Sequence, residues 1–445
     1  MTRSIREGVD TAVQRASSLS NKHERRTVSK KMQRGGRFFG ATMVIALLFA
    51  ACGSSSGGSS SATTLSTRGS QASGTPIVIG SEAPLTSPQV SFPEVKSGMQ
   101  AAVASINASG GVKGHPLKLD FCDTMLTANG ELSCARQLIA DHVVAVIDAT
   151  IVEDQSGAEF TLFQQAGIPY FAGEGTSPAE LTSPNSYPIA SGAPGWFYGT
   201  VQALEKAGAT KFGIYAGAEI APEEYAVSQV EAAMKGLGIP ASHYVVVYGD
   251  PTSDPTLAAS AAKVTSGGVN GIVLLPVDPV LMVKAIRSTG YKGALSSISS
   301  SIEVALPEMG SSANGLLISS QSAFATQSTS AVKQFRAAMA RYAPSGTVDL
   351  NSLGAYAAVE LFRSVAITSS AKTLTSAAFK TAANNISTPI NLGLIGPWAI
   401  KGRKPALAGA PRLLNPNIAY GVVKNGEIVS DGGGFSNPFV STASK

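Results

Sequence analysis

The chain is poor in the residues that most often carry chemistry. Its 445 residues include three cysteines, four histidines and two tryptophans, and only 14% are charged. None of His23, His115, His142 and His243 stands at ligand spacing to another ligand type, so no metal centre is expected. There is no HExxH pair, no G-x-S-x-G elbow, no P-loop and no G-x-G-x-x-G after a strand. Those absences argue against the commonest hydrolase and nucleotide-binding chemistries, so neither catalysis nor a cofactor is expected. No apolar run reaches the roughly 20 residues that a membrane-spanning helix takes.

The one long apolar run, Phe38 to Ala51, sits near the start. Arg34 and Arg37 precede it and Ala50 and Ala51 close it, which is the plan of a secretory signal. Cys52 follows directly, and the arrangement resembles a bacterial lipobox, in which that cysteine is lipidated and becomes the mature N-terminus. Phe49 stands where the lipobox pattern has leucine, and Leu48 is one place further out. An ordinary signal peptide with an incidental cysteine is the other reading. Residues 1–51 are thus expected to be a leader. Met1 to Lys31 is long for a basic flank, and a start at Met32 gives a signal of ordinary length.

The charge balance changes with the leader removed. Residues 1–37 hold ten Lys+Arg and three Asp+Glu, a balance of +7, so the whole-chain +5 becomes −2 after Arg37. A nucleic-acid partner would need a basic patch on the mature body, and none is suggested. Residues 52–75 are Gly, Ser, Thr and Ala with little else, too polar to fold alone. As a flexible tether this stretch would reach about 25–30 Å. An exported protein held at the outer face of the membrane by a lipid is the expectation.

From Pro76 onward about 370 residues remain, enough for two lobes. Short β-branched runs alternate with helical periods: "PIVIGSEA", a helix through Val95, Met99, Val103 and Ile106, "LKLDFCD", a helix through Leu132 to Ile139, "VVAVIDA", a helix near 158–166, and "IPYFAG". A helix over 196–207 precedes a second series. It runs "KFGIYAG", helix 222–237, "HYVVVYG", helix 255–265, "GIVLLP" and helix 278–289. Strand and helix alternate about every 30 residues, the pattern of parallel sheets with crossover helices. Three helical stretches then follow, near 331–342, 353–368 and 376–385. The hairpin "AYGVVKNGEIV" comes last, its Asn425-Gly426 suited to a type I′ turn.

The run "GMQAAVASINASGGVKGHPLKLDFCD" resembles the start of the leucine/isoleucine/valine-type substrate-binding proteins of ABC importers. Further matches are "CARQLIADHVVAVI", "QQAGIPYF", "TSPAEL", "GLIGPWAI" and "PNIAYGVVKNGEI", in order from Pro76 to Val429. The resemblance implies a type I periplasmic-binding-protein fold: an α/β molecule of two lobes, each a mainly parallel sheet flanked by helices, joined by three hinge crossings. By this comparison the crossings fall near Gly192, Gln321 and Gly396. The lobes are then 76–192 plus 322–395, and 193–321 plus 396–445. It implies a monomer that traps a small molecule between closing lobes and presents it to a membrane permease. A ligand sensor of the same fold, reporting to a membrane receptor or kinase, is the alternative.

Cys122 and Cys134 are close enough in sequence to meet, and an exported pair tends to oxidise; two separate buried thiols are the other reading. The resemblance places ligand contacts in the loops after the first-lobe strands, at Thr150, Gly173, Glu174 and Thr176, with Phe92 as a covering aromatic. The serine pair of the family's second loop is replaced here by Ile151, Val152 and Glu153. In the second lobe the strand-end loops offer Glu219, Asp278, Ser299 and Ser300. Where the family has a carboxylate for a ligand ammonium, near Ser299 or Ser300, no acid stands, and Val277 replaces an expected tyrosine. The simple reading as a leucine binder is therefore weakened, and the expected ligand is an amino acid, an amide or a related small molecule. Trp196 reads equally as ligand contact or hinge packing, and Glu219 and Asp278 as ligand contacts or as solvated or N-capping charges.

Overall fold

Two sheets organise the chain. The computed structural model describes residues 72–88, 91–147, 156–218, 221–275 and 278–440. Cys52, the leader and nearly all of the tether lie outside that set, as do Thr150 and Glu219.

The first sheet is built from β1 (Ile77–Ala83), α1 (Pro93–Ala108), β2 (Leu117–Asp123), α2 (Ala128–Ala140), β3 (Val146–Ile147), α3 (Ala158–Ala166), β4 (Tyr170–Phe171), α4 (Pro178–Thr182) and β5 (Ser186–Tyr187). Its order is β2-β1-β3-β4-β5, all parallel. The period-2 alternation decides which helices cover which face. Ile77, Ile79, Ile147 and Phe171 enter the core with α1, while Val78, Val146 and Tyr170 meet α2 and α3 on the opposite face.

The second series begins with α5 (Gly192–Lys206). It continues through β6 (Phe212–Ala216), α6 (Ala221–Gly236), β7 (Tyr244–Tyr248), α7 (Ala258–Val264), β8 (Gly271–Leu275), α8 (Pro279–Ser288) and β9 (Ala294–Ile298). The short helices α9 (Ser299–Ile302) and α10 (Leu306–Met309) then lead to β10 (Leu317–Ser320). The chain next returns to the first sheet as α11 (Ser330–Tyr342), α12 (Leu350–Ala366) and α13 (Ser376–Asn384). Phe335, Phe362, Phe379 and the fully buried Trp398 complete the first core. It ends in the second sheet as β11 (Ile418–Lys424) and β12 (Glu427–Ser436), giving the order β12-β11-β10-β9-β8-β6-β7 with β11 and β12 antiparallel.

The hairpin turn has Asn425 and Gly426 both at positive φ, 53° and 82°, with Lys424 paired to Glu427, as the Asn-Gly signal predicts. Cys122 and Cys134 form a disulfide with Cα atoms 5.5 Å apart, tying β2 to α2. A loop of this size stabilises by about 3 kcal/mol in the chain-entropy picture. Several boundaries differ from the sequence expectation. Helix α5 starts at Gly192 instead of 196, because Gly192 at φ 64° begins the turn that aims it at the second sheet. Helix α7 starts at Ala258, not 255, since Asp254 and Thr256 instead make local turn hydrogen bonds.

Candidate functional site

Both sheets have a topological switch point. In the first, neighbours β1 and β3 send their following helices, α1 and α3, to opposite faces. In the second, β6 has β7 on one side and β8 on the other. Ligands of open α/β sheets sit beyond the carboxyl ends of strands at such points. The described residues there are 84–88, 91–92 and 156–157 on the first sheet, and 217–218 and 278 on the second.

The described residues 84–85 and 92 are pinned by hydrogen bonds. The Phe92 N–H donates to the Pro84 carbonyl at 2.7 Å, and the Leu85 N–H to the Asp123 carboxylate at 2.8 Å. Partial burial opposes the Asp123 charge, but hydrogen bonds from Thr86, Leu85 and Met125 outweigh it and hold the carboxyl below its usual range. Phe92 is half-buried at the N-cap of α1, its ring packed against the first core.

The loop Gly173–Thr176 is shaped from beneath by Glu180. This fully buried carboxylate accepts the N–H groups of Gly175 at 2.7 Å and Thr176 at 2.9 Å. Burial raises its pKa to about 7 against the pull of those bonds. The consequence for binding is specific: two N–H groups of the kind that clamp a carboxylate are already used by Glu180. What the loop still offers is the Thr176 hydroxyl, whose oxygen is buried without a partner; Glu174 beside it is half-buried. Glycine is required here, because a Cβ on Gly173 would come 2.2 Å from the Glu180 oxygen. Glu174 overlies α12: a Cβ added to Gly354 would stand 4.0 Å from its Oε1.

On the second sheet, Asp278 caps α8, accepting the Leu281 N–H at 2.8 Å, so one of its oxygens is committed to the helix. Ser299 is buried and Ser300 exposed at the start of α9. Trp196 is half-buried in the first turn of α5 and packs against the second sheet's core. Just past the serines, Glu303 accepts the Leu350 N–H of α12 at 2.8 Å. The structure thus groups Gly173, Glu174 and Thr176 in one loop, sets Phe92 at the start of α1, and sets Asp278, Ser299 and Ser300 just past strand ends. Among the described residues no three His, Cys, Asp or Glu are spaced to hold a metal ion.

Three chain segments run between the sheets, and they are tied to one another. The buried Asn415 side chain donates to the carbonyls of Ile189 at 2.8 Å and Gly396 at 3.1 Å. Ser322 bridges Ile395, and the Trp398 indole donates to Pro188 at 3.0 Å. Two sheets joined by three linked crossings are the architecture of a two-lobed binding protein. A family model described as periplasmic binding protein matches residues 76–409. The chain belongs to that family.

Among curated relatives, the Leu/Ile/Val-binding protein homolog 3 of Brucella melitensis is 39% identical over 72 residues. That match spans 16% of this chain and a fifth of the relative. A leucine-binding protein of Thermotoga maritima superposes with a TM-score of 0.63 at 16% identity, over 81% of this chain and 99% of that one. A solute-binding protein of an ABC transporter from R. palustris, solved with 4-hydroxybenzoate, gives 0.63 at 19% identity, over 83% of this periplasmic binding protein and 99% of its own chain. These likenesses establish the type I fold.

Sequence reasoning missed Glu180, Glu303 and Asn415. Glu180 lies within the quoted "TSPAEL", but an acid in the first turn of a short helix reads as an exposed N-terminal charge. Nothing local marks Asn415, since its partners are 226 and 19 residues away.

Proposed function

We propose that this periplasmic binding protein is an extracytoplasmic lipoprotein that captures a small molecule between its lobes and delivers it to an ABC importer. The observation that carries the reading is the loop Gly173–Thr176. It is rigidly backed by Glu180 and presents a buried hydroxyl without a partner at the carboxyl end of β4. The lobes would be 76–192 plus 322–395 and 193–321 plus 396–445. The ligand would meet Phe92, Thr150, Gly173, Glu174 and Thr176 from the first, and Trp196, Glu219, Asp278, Ser299 and Ser300 from the second. Ligand contacts to both lobes would favour the closed form, which a permease then recognises. The commitment of the Gly175 and Thr176 N–H groups to Glu180 favours an amide or related compound over a ligand held by its carboxylate at this loop. Residues 1–51 would be the leader, and lipid on Cys52 with the tether 52–75 would keep the body at the membrane.

The test is melting of the ligand-stripped protein against a panel of amino acids, amides, ureas and small aromatic acids. A ligand at a hundred times its Kd stabilises by about 2.7 kcal/mol, a rise of roughly 2 °C or somewhat more at this size. A saturable rise with the compound recovered unchanged supports the reading. Turnover of a compound would overturn it.

A further inference from the structure

A cavity of about 520 Å³ lies at the end of the first sheet opposite the ligand loops. It opens near the starts of β1 and β3, and the end of α12 and residues 371–374 before α13 close its side. Ile77 in its wall begins β1, whose other end, Ala83, is about 20 Å away at the rise of a strand. None of the candidate cleft residues lines it.

Two kinds of side chain meet there. Ile77, Val112, Val144, Ala366 and Leu374, all buried or half-buried, supply an apolar wall. Lys113, His142 and Lys372 are exposed, His115 is half-buried, and all four line the same cavity. No aspartate or glutamate does; Asp141, next to His142 in sequence, is exposed and outside the lining. The protein uses these basic groups only in part. The Lys113 ammonium spends one of its three donors on the Ser369 carbonyl. His115 Nδ1 donates to the Thr75 carbonyl at 2.8 Å, and a Cβ on Gly74 would come 2.5 Å from that nitrogen, so the ring is fixed against the chain entering β1. The Ser73 and Gly74 N–H groups donate to the Gly114 carbonyl at 3.1 and 2.9 Å and hold the turn between Lys113 and His115. Among the described residues the side chains of His142 and Lys372 make no hydrogen bond or ion pair. Lys113 and His142 both have positive φ, 53° and 54°, so the fold keeps two of the four at this rim against their backbone preference.

Like charges around one opening repel each other, and a shared anion relieves all of them. An apolar wall with a few convergent polar groups is the pattern of small-molecule sites, and the volume falls in their range. A bare inorganic ion would leave the wall wet, and a neutral apolar molecule would leave the rim unanswered. We infer that this cavity is a second binding site, for a small amphiphilic anion whose carboxylate or phosphate meets the basic rim and whose short hydrocarbon body lies against the wall. His142 and Lys372 supply charge that the fold leaves unused, while Lys113 and His115 are held by Ser369 and Thr75. The site stands apart from the cleft and from whatever the cleft binds.

Hexanoate and hexyl phosphate are the probes, with hexanol as the neutral control, each titrated into the full chain by calorimetry. Hydrogen exchange should slow in peptides covering 73–78, 112–115, 142–144 and 369–374, and stay unchanged over 173–176. Hexanol should bind roughly tenfold or more weakly than the anions, since it forfeits the charge-assisted hydrogen bonds. Lys372→Gln and His142→Asn should each weaken the anions by about threefold, the effect of one exposed ion pair. Neither threatens the fold, because Lys372 is exposed and asparagine tolerates the left-handed backbone at 142. Lys372→Arg, which keeps the charge, should bind like the parent. Equal affinity for hexanol, slowed exchange confined to 173–176, or undiminished anion affinity in the double variant K372Q/H142N would each overturn the inference. So would the absence of binding by both anions at millimolar concentration.

Discussion

The Glu303 carboxylate accepts the backbone N–H of Leu350 at 2.8 Å, and the two residues serve different sheets. Glu303 follows β9 between Ile302 and Leu306 of the second core, whereas Leu350 opens α12, which packs into the first. The bond satisfies one of the free N–H groups at a helix start from across the molecule. Asp349 caps the same helix through Ser352, and Asn351 donates to Glu94 at 2.9 Å. A contact of this kind belongs to the state in which the lobes are together.

Glu303→Ala is accordingly expected to weaken closure. Hydrogen bonds to charged acceptors contribute about 1.5–3 kcal/mol, and this one is partly solvated, so about 1–2 kcal/mol is expected. Ligand affinity should fall by roughly five- to thirtyfold, with a larger radius of gyration in solution. Glu303→Gln, which still offers an oxygen to Leu350, should lie close to the parent. Equal affinity for the parent and the alanine variant would show that the contact does not hold the closed form.

Burial raises both Glu180 and Glu303 to about 7. A carboxyl whose folded pKa exceeds its unfolded value binds more protons when folded, so its contribution is complete below about pH 4.5 and is lost as pH climbs through about 7. The protein should be more resistant to urea at pH 5 than at pH 8. For the fully buried Glu180 the difference is on the order of 3 kcal/mol. Glu180→Gln should flatten that slope, although it costs one of the two loop bonds. A stability that rises between pH 5 and 8 would contradict this.

Asn415 is the side chain through which two crossing segments hold each other. Its loss in Asn415→Ala leaves the Ile189 and Gly396 carbonyls short of a buried donor, at about 1–3 kcal/mol apiece. A fall in Tm of about 4 °C or more is expected, together with a wider spread of lobe orientations in solution scattering. An unchanged Tm would mean that water replaces the side chain.

What was legible in the sequence follows the strength of local signals. β-branched runs such as "IVIG" and "GIVLL" declared themselves as strands, and the Asn-Gly turn and the cysteine pair fell where the residues pointed. Strands β9 and β10 did not, because "ALSSI" and "LISS" carry serines, and Ser296, Ser297, Ser319 and Ser320 are nonetheless fully buried. The two-residue strand β5 is set by pairing with β4 rather than by its own composition. At the site, loop positions were legible and their chemistry was not. Glu82, Glu131, Glu159 and Glu180 are ordinary helix-start or strand-end acids in sequence, and only the tertiary fold brings them beneath one surface.

A close backbone-to-backbone fit in the candidate site joins Gly175 to Gly192, and it makes a sharp prediction. Both have positive φ, 74° and 64°. The Gly175 carbonyl accepts the Ala193 N–H at 3.0 Å, so the ligand loop is stitched to the first turn of α5 where the chain leaves the first sheet. A Cβ on Gly192 would come 2.5 Å from the Gly175 oxygen, a backbone atom that cannot swing aside. Left-handed backbone adds about 1–2 kcal/mol for any other residue. Gly192→Ala should thus lose more than about 2 kcal/mol and displace the loop that carries Glu174 and Thr176. Gly208→Ala, also at positive φ but with open space around it, should show the backbone cost alone. Unfolding in urea separates the two: equal losses would mean that the loop yields to the new methyl, and that Gly175 and Gly192 are not a fixed joint between the ligand loop and the crossing.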